Sequence, residues 1–303
     1  MSNRQNPHDR LRAITTMLAA VGVFAIMDAT LKHLTGHYGP MQLAFLRCAA
    51  SLILVALAIL WRRSWAALRP VNLPLHLARG VLGITMLGSF VYAVRRLNLA
   101  QTYSLFLCAP MLMAALSVPL YGDHVPARRW LAIALGLGGV IVVLQPWGAG
   151  FGSPAGTAAA ALACICYALS GTTVRALGQR NSTLAMVFWF LVLAGGGSGL
   201  LSLPDWRPLL SEDWAWLAAV GMSGSLGQLW ITDAFRRAPA SVVGPFEYTA
   251  ILWAFAIDWY FWSAKPTTSL MIGASIVIAS GVYIVLDERR LAELALAPAS
   301  PPP

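Results

Sequence analysis

Apolar runs of about 20 residues dominate the chain and are separated by short polar breaks. A run of that length crosses a hydrocarbon layer of about 30 Å as an α-helix. The breaks contain Gly or Pro, as at 36–40, 69–74 and 145–154, and such residues indicate turns. The pattern predicts ten membrane spans, numbered 1 to 10 in chain order, at 11–34, 41–61, 74–94, 98–121, 127–145, 156–177, 183–203, 213–235, 241–262 and 269–286.

The composition is that of a protein embedded in lipid. Of 303 residues, 58% are hydrophobic and 11% are charged, with a mean hydropathy of +0.67. Soluble domains carry charge on about 25% of their residues. The spans leave no room for a soluble catalytic domain, and the four cysteines fall inside apolar runs, where they predict small buried side chains. We therefore expect an all-α integral membrane protein.

The distribution of basic residues predicts the orientation of the spans. The chain has 21 Lys and Arg residues against 12 Asp and Glu residues, a net charge of +9. Basic residues beside membrane helices are retained in the cytoplasm. With the N-terminus inside, fifteen of the 21 basic residues lie on the inner side. The outer side has six, namely Lys32, Arg47, Arg95, Arg96, Arg207 and Lys265. The pattern predicts that both termini are cytoplasmic.

An internal repeat accounts for the Arg95–Arg96 pair on the outer side. A shift of 141 residues aligns this pair, and the "AVRRLNLA" around it, with Arg236–Arg237 in "AFRRAPAS". An odd number of spans per repeat inverts the second copy in the membrane. We predict a cytoplasmic segment at 1–10, five-span repeats at 11–145 and 156–286, a periplasmic linker at 146–155, and a disordered cytoplasmic tail at 287–303.

Two longer segments carry a family resemblance. "AVRRLNLAQTYSLFLCAPMLMAALSVPLYGD" at span 4 and "AFRRAPASVVGPFEYTAILWAFAIDWYFWSAKP" at span 9 resemble the drug/metabolite transporter superfamily, EamA type. Within it, the chain looks most like the YddG-type exporters of aromatic amino acids. The second half departs from the family at Ser263–Lys265, where a Gly-Glu turn is usual, which leaves any role of the acidic turn in doubt.

The resemblance implies a multi-pass protein of the bacterial inner membrane that exports small metabolites. It also implies a central cavity built by spans 1, 3, 4, 6, 8 and 9, and transport by alternating access. Amino acids are the first cargo hypothesis, because the candidate cavity mixes hydroxyls, an amide and aromatic rings with one deep carboxylate. Sugars, nucleosides and cationic drugs remain alternatives.

Polar stripes on the predicted helices give an independent prediction of the cavity, since polar groups in lipid-embedded helices face the interior. The alternative for each Gly or Ser is that it only permits close helix packing. The stripes fall on spans 3, 4, 6, 8 and 9. The predicted substrate-cavity residues are Thr85, Ser89, Tyr92, Gln101, Ser104, Tyr167, Ser170, Gln228, Trp230, Glu247 and Tyr248.

Glu247 is the most informative of these residues. It lies well inside span 9 with no Lys or Arg one helical turn away, and an ionised carboxylate there costs about 2.5 to 3.5 kcal/mol. One interpretation is a group that binds a substrate ammonium or exchanges a proton. The other is a neutral acid that closes an inner gate against Arg79 or Arg175. Proton-coupled exchange and facilitated diffusion both remain open.

Acidic residues near the predicted outer end have simpler interpretations. Asp28 precedes Lys32 by one helical turn, so the two side chains could neutralise each other. Alternatively, Asp28 is a proton or charge site at the rim of an outward cavity. Asp258 is expected near the outer interface with Lys265.

Pro110 and Pro245 lie inside spans 4 and 9, which correspond in the repeat. Proline removes a helical hydrogen bond and bends the helix. We predict kinks at both positions, which are either flexing points or fixed bends.

Other function classes find little support. No His follows His124, so a membrane protease would lack its base, and His and Cys have no metal-ligand spacing. A channel would need polar groups at every depth, whereas the stripes are patchy. We expect no cofactor, no metal and no nucleic-acid partner. The expected partners are a small-molecule substrate and the lipid bilayer, and the expected state is a monomer.

Overall fold

The computed structural model describes residues 7–62, 68, 72–122, 127–144, 153–178, 182–237 and 244–295. Three short 3₁₀ segments lie at Leu203–Asp205, Ser211–Asp213 and Gly244–Thr249, the last leading directly into a helix. The α-helices are α1 (Pro7–Leu34), α2 (Pro40–Arg62), α3 (Leu73–Arg96), α4 (Leu99–Phe106), α5 (Ala109–Tyr121), α6 (Ala127–Leu144), α7 (Pro154–Gly178), α8 (Thr183–Ser202), α9 (Trp214–Arg237), α10 (Ala250–Trp262) and α11 (Thr268–Ala295).

The helices have the length and surface of membrane segments. Large apolar side chains point away from the bundle, with Val81 at 62%, Leu131 at 62% and Leu200 at 71% exposure. Such surfaces are unfavourable in water and suit contact with lipid. Trp130–Val143 and Thr268–Tyr283 are shorter apolar helices. Within the described part of the chain, six segments are long and apolar enough to cross a membrane, namely Leu11–Leu34, Pro40–Trp61, Leu73–Arg96, Leu99–Leu120, Pro154–Thr173 and Leu184–Asp205.

Polar residues at the breaks begin several of the helices. Ser153, Ser182 and Thr267 each accept a hydrogen bond from the backbone N–H three residues later, at 3.1 to 3.2 Å. These side chains satisfy donors that the first helical turn leaves without partners. The short polar breaks therefore define where α7, α8 and α11 begin.

The helices pack in pairs that join the two halves of the chain. α1 lies along α9, and α3 lies along α7. Three further pairs are α2 with α8, α6 with α11, and α4 with α10. Spans 1 to 5 correspond to spans 6 to 10 in the repeat. When each span is exchanged for its counterpart, the α1–α9 pair becomes the α3–α7 pair, and each of the other three pairs maps onto itself. The packing order therefore has an approximate twofold relation between the halves.

The crossing of α6 and α11 depends on glycine. A Cβ atom on Gly273 would lie 2.5 Å from the carbonyl oxygen of Gly139 and 2.5 Å from a methyl carbon of Val143. No other residue fits this approach without moving a backbone. The glycines that the two last spans share therefore bring their backbones together.

Three segments differ from the sequence-based predictions. Span 4 is divided into α4 and α5, and the described part of span 9 is divided into a 3₁₀ segment and α10. The tail prediction is wrong for 287–295, because α11 continues to Ala295. An ion pair of 2.9 Å between Asp287 and Arg128 of α6 holds the extension at its start. Residues 296–303 lie outside the described residues.

Candidate transport site

Two interrupted helices lie next to each other within the bundle. α4 ends at Phe106, α5 begins at Ala109, and α4 packs against α10, which follows the 3₁₀ segment Gly244–Thr249. Irregular backbone at membrane depth is tolerated only where protein buries it or where it lines a cavity. Discontinuous helices of this kind form substrate sites in many transporters. The two interruptions therefore mark the candidate substrate-binding site.

Proline accounts for the interruption between α4 and α5. Pro110 has no N–H, so the carbonyl of Phe106, four residues earlier, loses its helical donor. The thiol of Cys164 on α7 takes the place of that donor, with its Sγ atom 3.7 Å from the Phe106 oxygen. Pro245 lies inside the 3₁₀ segment. Both prolines predicted as kinks thus lie where the regular α-helix is interrupted.

Four aromatic rings form a row beside the interruption. The ring centroids of Tyr103 and Phe90 are 6.5 Å apart, those of Phe90 and Phe106 are 5.5 Å apart, and those of Phe106 and Tyr167 are 4.9 Å apart. These separations are typical of interacting aromatic pairs. The row joins α3, α4 and α7, and we call these four residues the aromatic row.

A buried carboxylate lies at one end of the aromatic row. The hydroxyl of Tyr103 donates a hydrogen bond of 2.6 Å to Oδ2 of Asp28 on α1. The other oxygen, Oδ1, is buried and has no hydrogen-bond partner among the described residues. The predicted pairing of Asp28 with Lys32 is wrong, because Lys32 reaches across to another helix. Asp28 instead faces the site, with the positive charge of Arg47 nearby.

A buried ion pair joins α1 and α10 at the predicted outer end. Nζ of Lys32 lies 3.0 Å from Oδ1 of Asp258 on α10, and both side chains are largely buried. Oδ2 of Asp258 accepts a hydrogen bond of 2.8 Å from the backbone N–H of Ala100 in the first turn of α4. The Lys32 ammonium also lies 4.4 Å from the centre of a ring of Trp262. One carboxylate therefore binds both α1 and α4.

Glu247 lies in the 3₁₀ segment at the other end of the aromatic row. Tyr248 follows it in the same segment, and the Tyr167 hydroxyl on α7 lies within electrostatic range of its carboxylate. The side chain is partly exposed and forms no ion pair with a described residue. In this conformation the Arg79 guanidinium donates to Ser170 Oγ and to the carbonyl of Met186, so the gate between Glu247 and Arg79 stays a prediction. The Arg175 side chain lies outside the described residues.

Three predicted cavity residues use their polar atoms within their own helices. Thr85 donates to the carbonyl of Val81 at 3.1 Å, and Ser104, fully buried, donates to that of Ala100 at 2.8 Å. The side-chain oxygen of Gln101 accepts a hydrogen bond of 3.3 Å from the backbone N–H of Asn98, which caps α4. The interpretation of Gln101 as a substrate ligand is therefore replaced by a structural one.

The other predicted residues lie at separate places. Tyr248 is buried with its ring against Gly281 of α11, and its hydroxyl has no partner among the described residues. Trp230 lines a cavity of about 310 Å³ beside Arg12, near the start of α1. The Tyr92 ring lies 5.4 Å from the Arg96 guanidinium. Ser89 and Gln228 are partly exposed on α3 and α9.

The sequence patterns pointed to only one member of the aromatic row, Tyr167, and they missed the Lys32–Asp258 pair. Pro110 could have indicated that the helix is interrupted near Phe106, because the carbonyl four residues before a proline lacks its helical donor. No local signal pairs Lys32 with Asp258, which lie 226 residues apart. Phe90 follows Ser89 of the predicted stripe, but its large apolar side chain is equally typical of a lipid-facing position.

Comparison with known proteins decides the family. The sequence model of the EamA-like transporter family matches residues 11–145 and 154–286, which together make up most of the chain. The chain belongs to the EamA-like transporter family. This confirms the predicted superfamily, and it makes the protein a multi-pass transporter of the bacterial inner membrane.

Individual relatives are similar over nearly the whole EamA-like chain. The pseudopaline exporter CntI of Pseudomonas aeruginosa is 29% identical over 270 residues, covering 87% of this chain and 89% of the exporter. A riboflavin transporter of Vibrio cholerae is 25% identical, covering 93% and 96%. An S-adenosylmethionine uptake transporter of Rickettsia prowazekii is 22% identical, covering 92% and 94%. These names do not support the closer resemblance to YddG-type amino-acid exporters.

A solved crystal structure shows the same fold. It aligns with a TM-score of 0.64 at 20% identity, over 94% of this chain and 99% of that one. At this identity the likeness concerns the fold alone.

Proposed function

We propose that this EamA-like protein exports small metabolites that carry an amino group, amino acids among them, by alternating access. In this proposal ten spans form two inverted halves, at 11–145 and 156–286, with both termini in the cytoplasm. A single chain is the transporting unit. The two family matches and the related α1–α9 and α3–α7 pairs support the two-half arrangement. The bias of basic residues toward one side supports the orientation.

Glu247 is the observation that carries the proposal. It is partly exposed inside an interrupted span and has no ion-pair partner among the described residues. A carboxylate in that position needs a compensating cation or proton, and a substrate ammonium supplies the cation. The neighbouring aromatic row offers faces on which an organic cation or a flat group can lie. Asp28, at the far end of the row, is a second acidic group for the same cargo.

In this proposal the Lys32–Asp258 ion pair closes the predicted outer end in the described conformation. Asp258 binds both Lys32 and the first turn of α4, so α1, α4 and α10 are held together there. Export requires these contacts to separate while the opposite side closes, which is the two-state change of alternating access. A passive channel would leave no such closure in the path.

The names of the relatives extend the set of candidate substrates to be tested. They refer to pseudopaline, riboflavin and S-adenosylmethionine, so the panel should extend beyond amino acids. We would reconstitute the purified protein in liposomes and measure efflux and counterflow of radiolabelled amino acids, riboflavin, S-adenosylmethionine, nucleosides and sugars. Saturable flux of an amino-bearing compound is the expected result.

Variants of Glu247 test its role. Glu247→Gln removes the charge and is expected to lower flux at least about tenfold, since a charge-assisted contact of about 1.5 to 3 kcal/mol is lost. Glu212→Gln is the matched control, because Glu212 is exposed outside the helices. Loss of flux only under an imposed pH gradient would assign proton coupling to Glu247. Equal flux in Glu247→Gln and wild type would contradict the proposed site, and flux of non-amino compounds alone would contradict the cargo.

A further inference from the structure

A polar cavity of about 530 Å³ opens at the predicted outer end, where α1 and α3 end and α4 begins. We call it the outer cavity. Its volume is in the range of small-molecule sites. The residues that matter for its chemistry are Lys32, His33, Arg95, Arg96, Asn98 and Trp262.

The outer cavity carries an excess of positive charge. Lys32, Arg95 and Arg96 line it, and no acidic side chain is among the described residues that do so. Asp258 binds Lys32, but the same carboxylate also accepts the backbone N–H of Ala100. Three cations therefore line the cavity, only Lys32 is paired with the buried Asp258 carboxylate, and the two arginines are exposed. An anion entering the cavity would compensate this excess.

Aromatic rings hold two of the cations in place. The Lys32 ammonium lies 4.4 Å from the centre of a Trp262 ring, and the Arg96 guanidinium lies 5.4 Å from that of Tyr92. Cations restrained in this way lose less side-chain entropy when they bind a ligand. Favourable interaction with the C-terminal end of α3 explains why arginine is tolerated there. It does not explain why Lys32 of another helix joins the same cavity, on the side of the membrane where basic residues are depleted.

We infer that the outer cavity binds the anionic group, a carboxylate or phosphate, of a soluble metabolite that leaves the transporter. Arginine is suited to both groups because its planar donors match their oxygens. The inference rests on the proposed export function, and it narrows the cargo to compounds that carry an acidic group as well as an amino group. The acidic groups near the aromatic row bind the cationic part, and the outer cavity receives the anionic part.

Calorimetric titration with citrate tests the inference without any transport step. The full chain is placed in nanodiscs of phosphatidylcholine alone, and citrate is titrated at constant ionic strength. Arg95→Gln and Arg96→Gln are each expected to weaken citrate binding at least about tenfold, and Arg96→Lys to restore part of it. Lys265→Gln is the matched control, since it removes one charge from the same end without lining the cavity, and binding should stay within about twofold. Thermal unfolding confirms that each variant is folded.

Two results would overturn the inference. One is citrate affinity that is the same in wild type and both arginine variants. The other is no citrate binding in neutral nanodiscs, together with phosphatidylglycerol that co-purifies with wild type but not with the arginine variants, because the cavity would then hold a lipid headgroup. Flux measured on the same proteins separates the two proposals. Flux without citrate binding would contradict only the inference that the outer cavity binds an anionic group. Citrate binding without flux of any panel compound would contradict the transport proposal.

Discussion

Replacing Asp258 by Asn is expected to open the outer end of the bundle. The carboxylate lies 3.0 Å from Lys32 Nζ and accepts the Ala100 N–H at 2.8 Å, with its side chain 3% exposed. Removing one member of a buried pair costs about 3 to 5 kcal/mol, because its partner keeps an uncompensated charge. The Trp262 ring and the partial exposure of Lys32 compensate part of that loss. We therefore expect a net cost of about 2 to 3 kcal/mol.

This cost falls on the outer-closed state, since only that state has the contacts. It lowers the ratio of closed to open protein by about 30- to 150-fold. A cysteine placed at Ser104, which is fully buried one turn along α4 from Ala100, reports the change. The four native cysteines, all buried, are first replaced by Ala. A membrane-impermeant maleimide added from outside should label the reporter much faster in Asp258→Asn than in the parent.

The control and the refuting result are specific to the ion pair. Asp205→Asn removes an exposed acid that forms no ion pair with a described residue, and labelling should not change. Combining Asp258→Asn with Lys32→Met should label more slowly than Asp258→Asn alone, because no buried charge is left unpaired. Labelling of Asp258→Asn within threefold of the parent would refute the assignment of this pair as the outer closure.

Other predictions concern packing, hydrogen bonding and pH. Gly273→Ala should lower the unfolding temperature, because the added methyl group would lie 2.5 Å from a backbone oxygen. Gly138→Ala, which has open space around it, should leave that temperature unchanged or raise it slightly. Equal effects of the two substitutions would contradict the glycine-dependent crossing. Tyr103→Phe should cost about 1 to 3 kcal/mol in denaturant unfolding by leaving a buried carboxylate unpaired, and an unchanged midpoint would argue against that hydrogen bond. Outside the α-helices, burial raises the pKa of Asp213, but hydrogen bonds from Tyr38 and a nearby histidine outweigh burial and hold it below its usual range. The resulting stability is present above about pH 4 and lost as pH falls further, so the difference in unfolding temperature between wild type and Asp213→Asn should shrink below about pH 4, and a constant difference would contradict this linkage.

Polar stripes were an incomplete guide to the site. They drew attention to Tyr167, which joins the aromatic row, and to Glu247, whose role stays a prediction. Thr85, Ser104 and Gln101 lie on the same kind of stripe, yet their polar atoms bond to their own helices. A hydroxyl in a membrane helix can satisfy itself on the carbonyl four residues earlier, so its place on a stripe does not decide whether it faces a substrate.

Ion pairs showed the same limit more sharply. Helical spacing favours Asp28 with Lys32. The structure instead joins Lys32 to Asp258, and it gives Asp28 to Tyr103. The pairing of Asp28 with Lys32 is reasonable when α1 is considered alone. The packing of α1 against α4 and α10 gives each of these two residues a different partner.

The sequence by itself determined the membrane class, most of the helices and the family resemblance, because each depends on local properties. An apolar run must satisfy its backbone internally as helix, and Pro110 removes a helical donor whatever surrounds it. Tertiary structure decided which helices meet and which polar atoms pair: Cys164 with Phe106, Asp258 with Lys32 and Ala100, and three cations around one cavity. These contacts join residues far apart in the chain, and their geometry is set by packing at points such as the Gly139–Gly273 crossing, which no local pattern encodes.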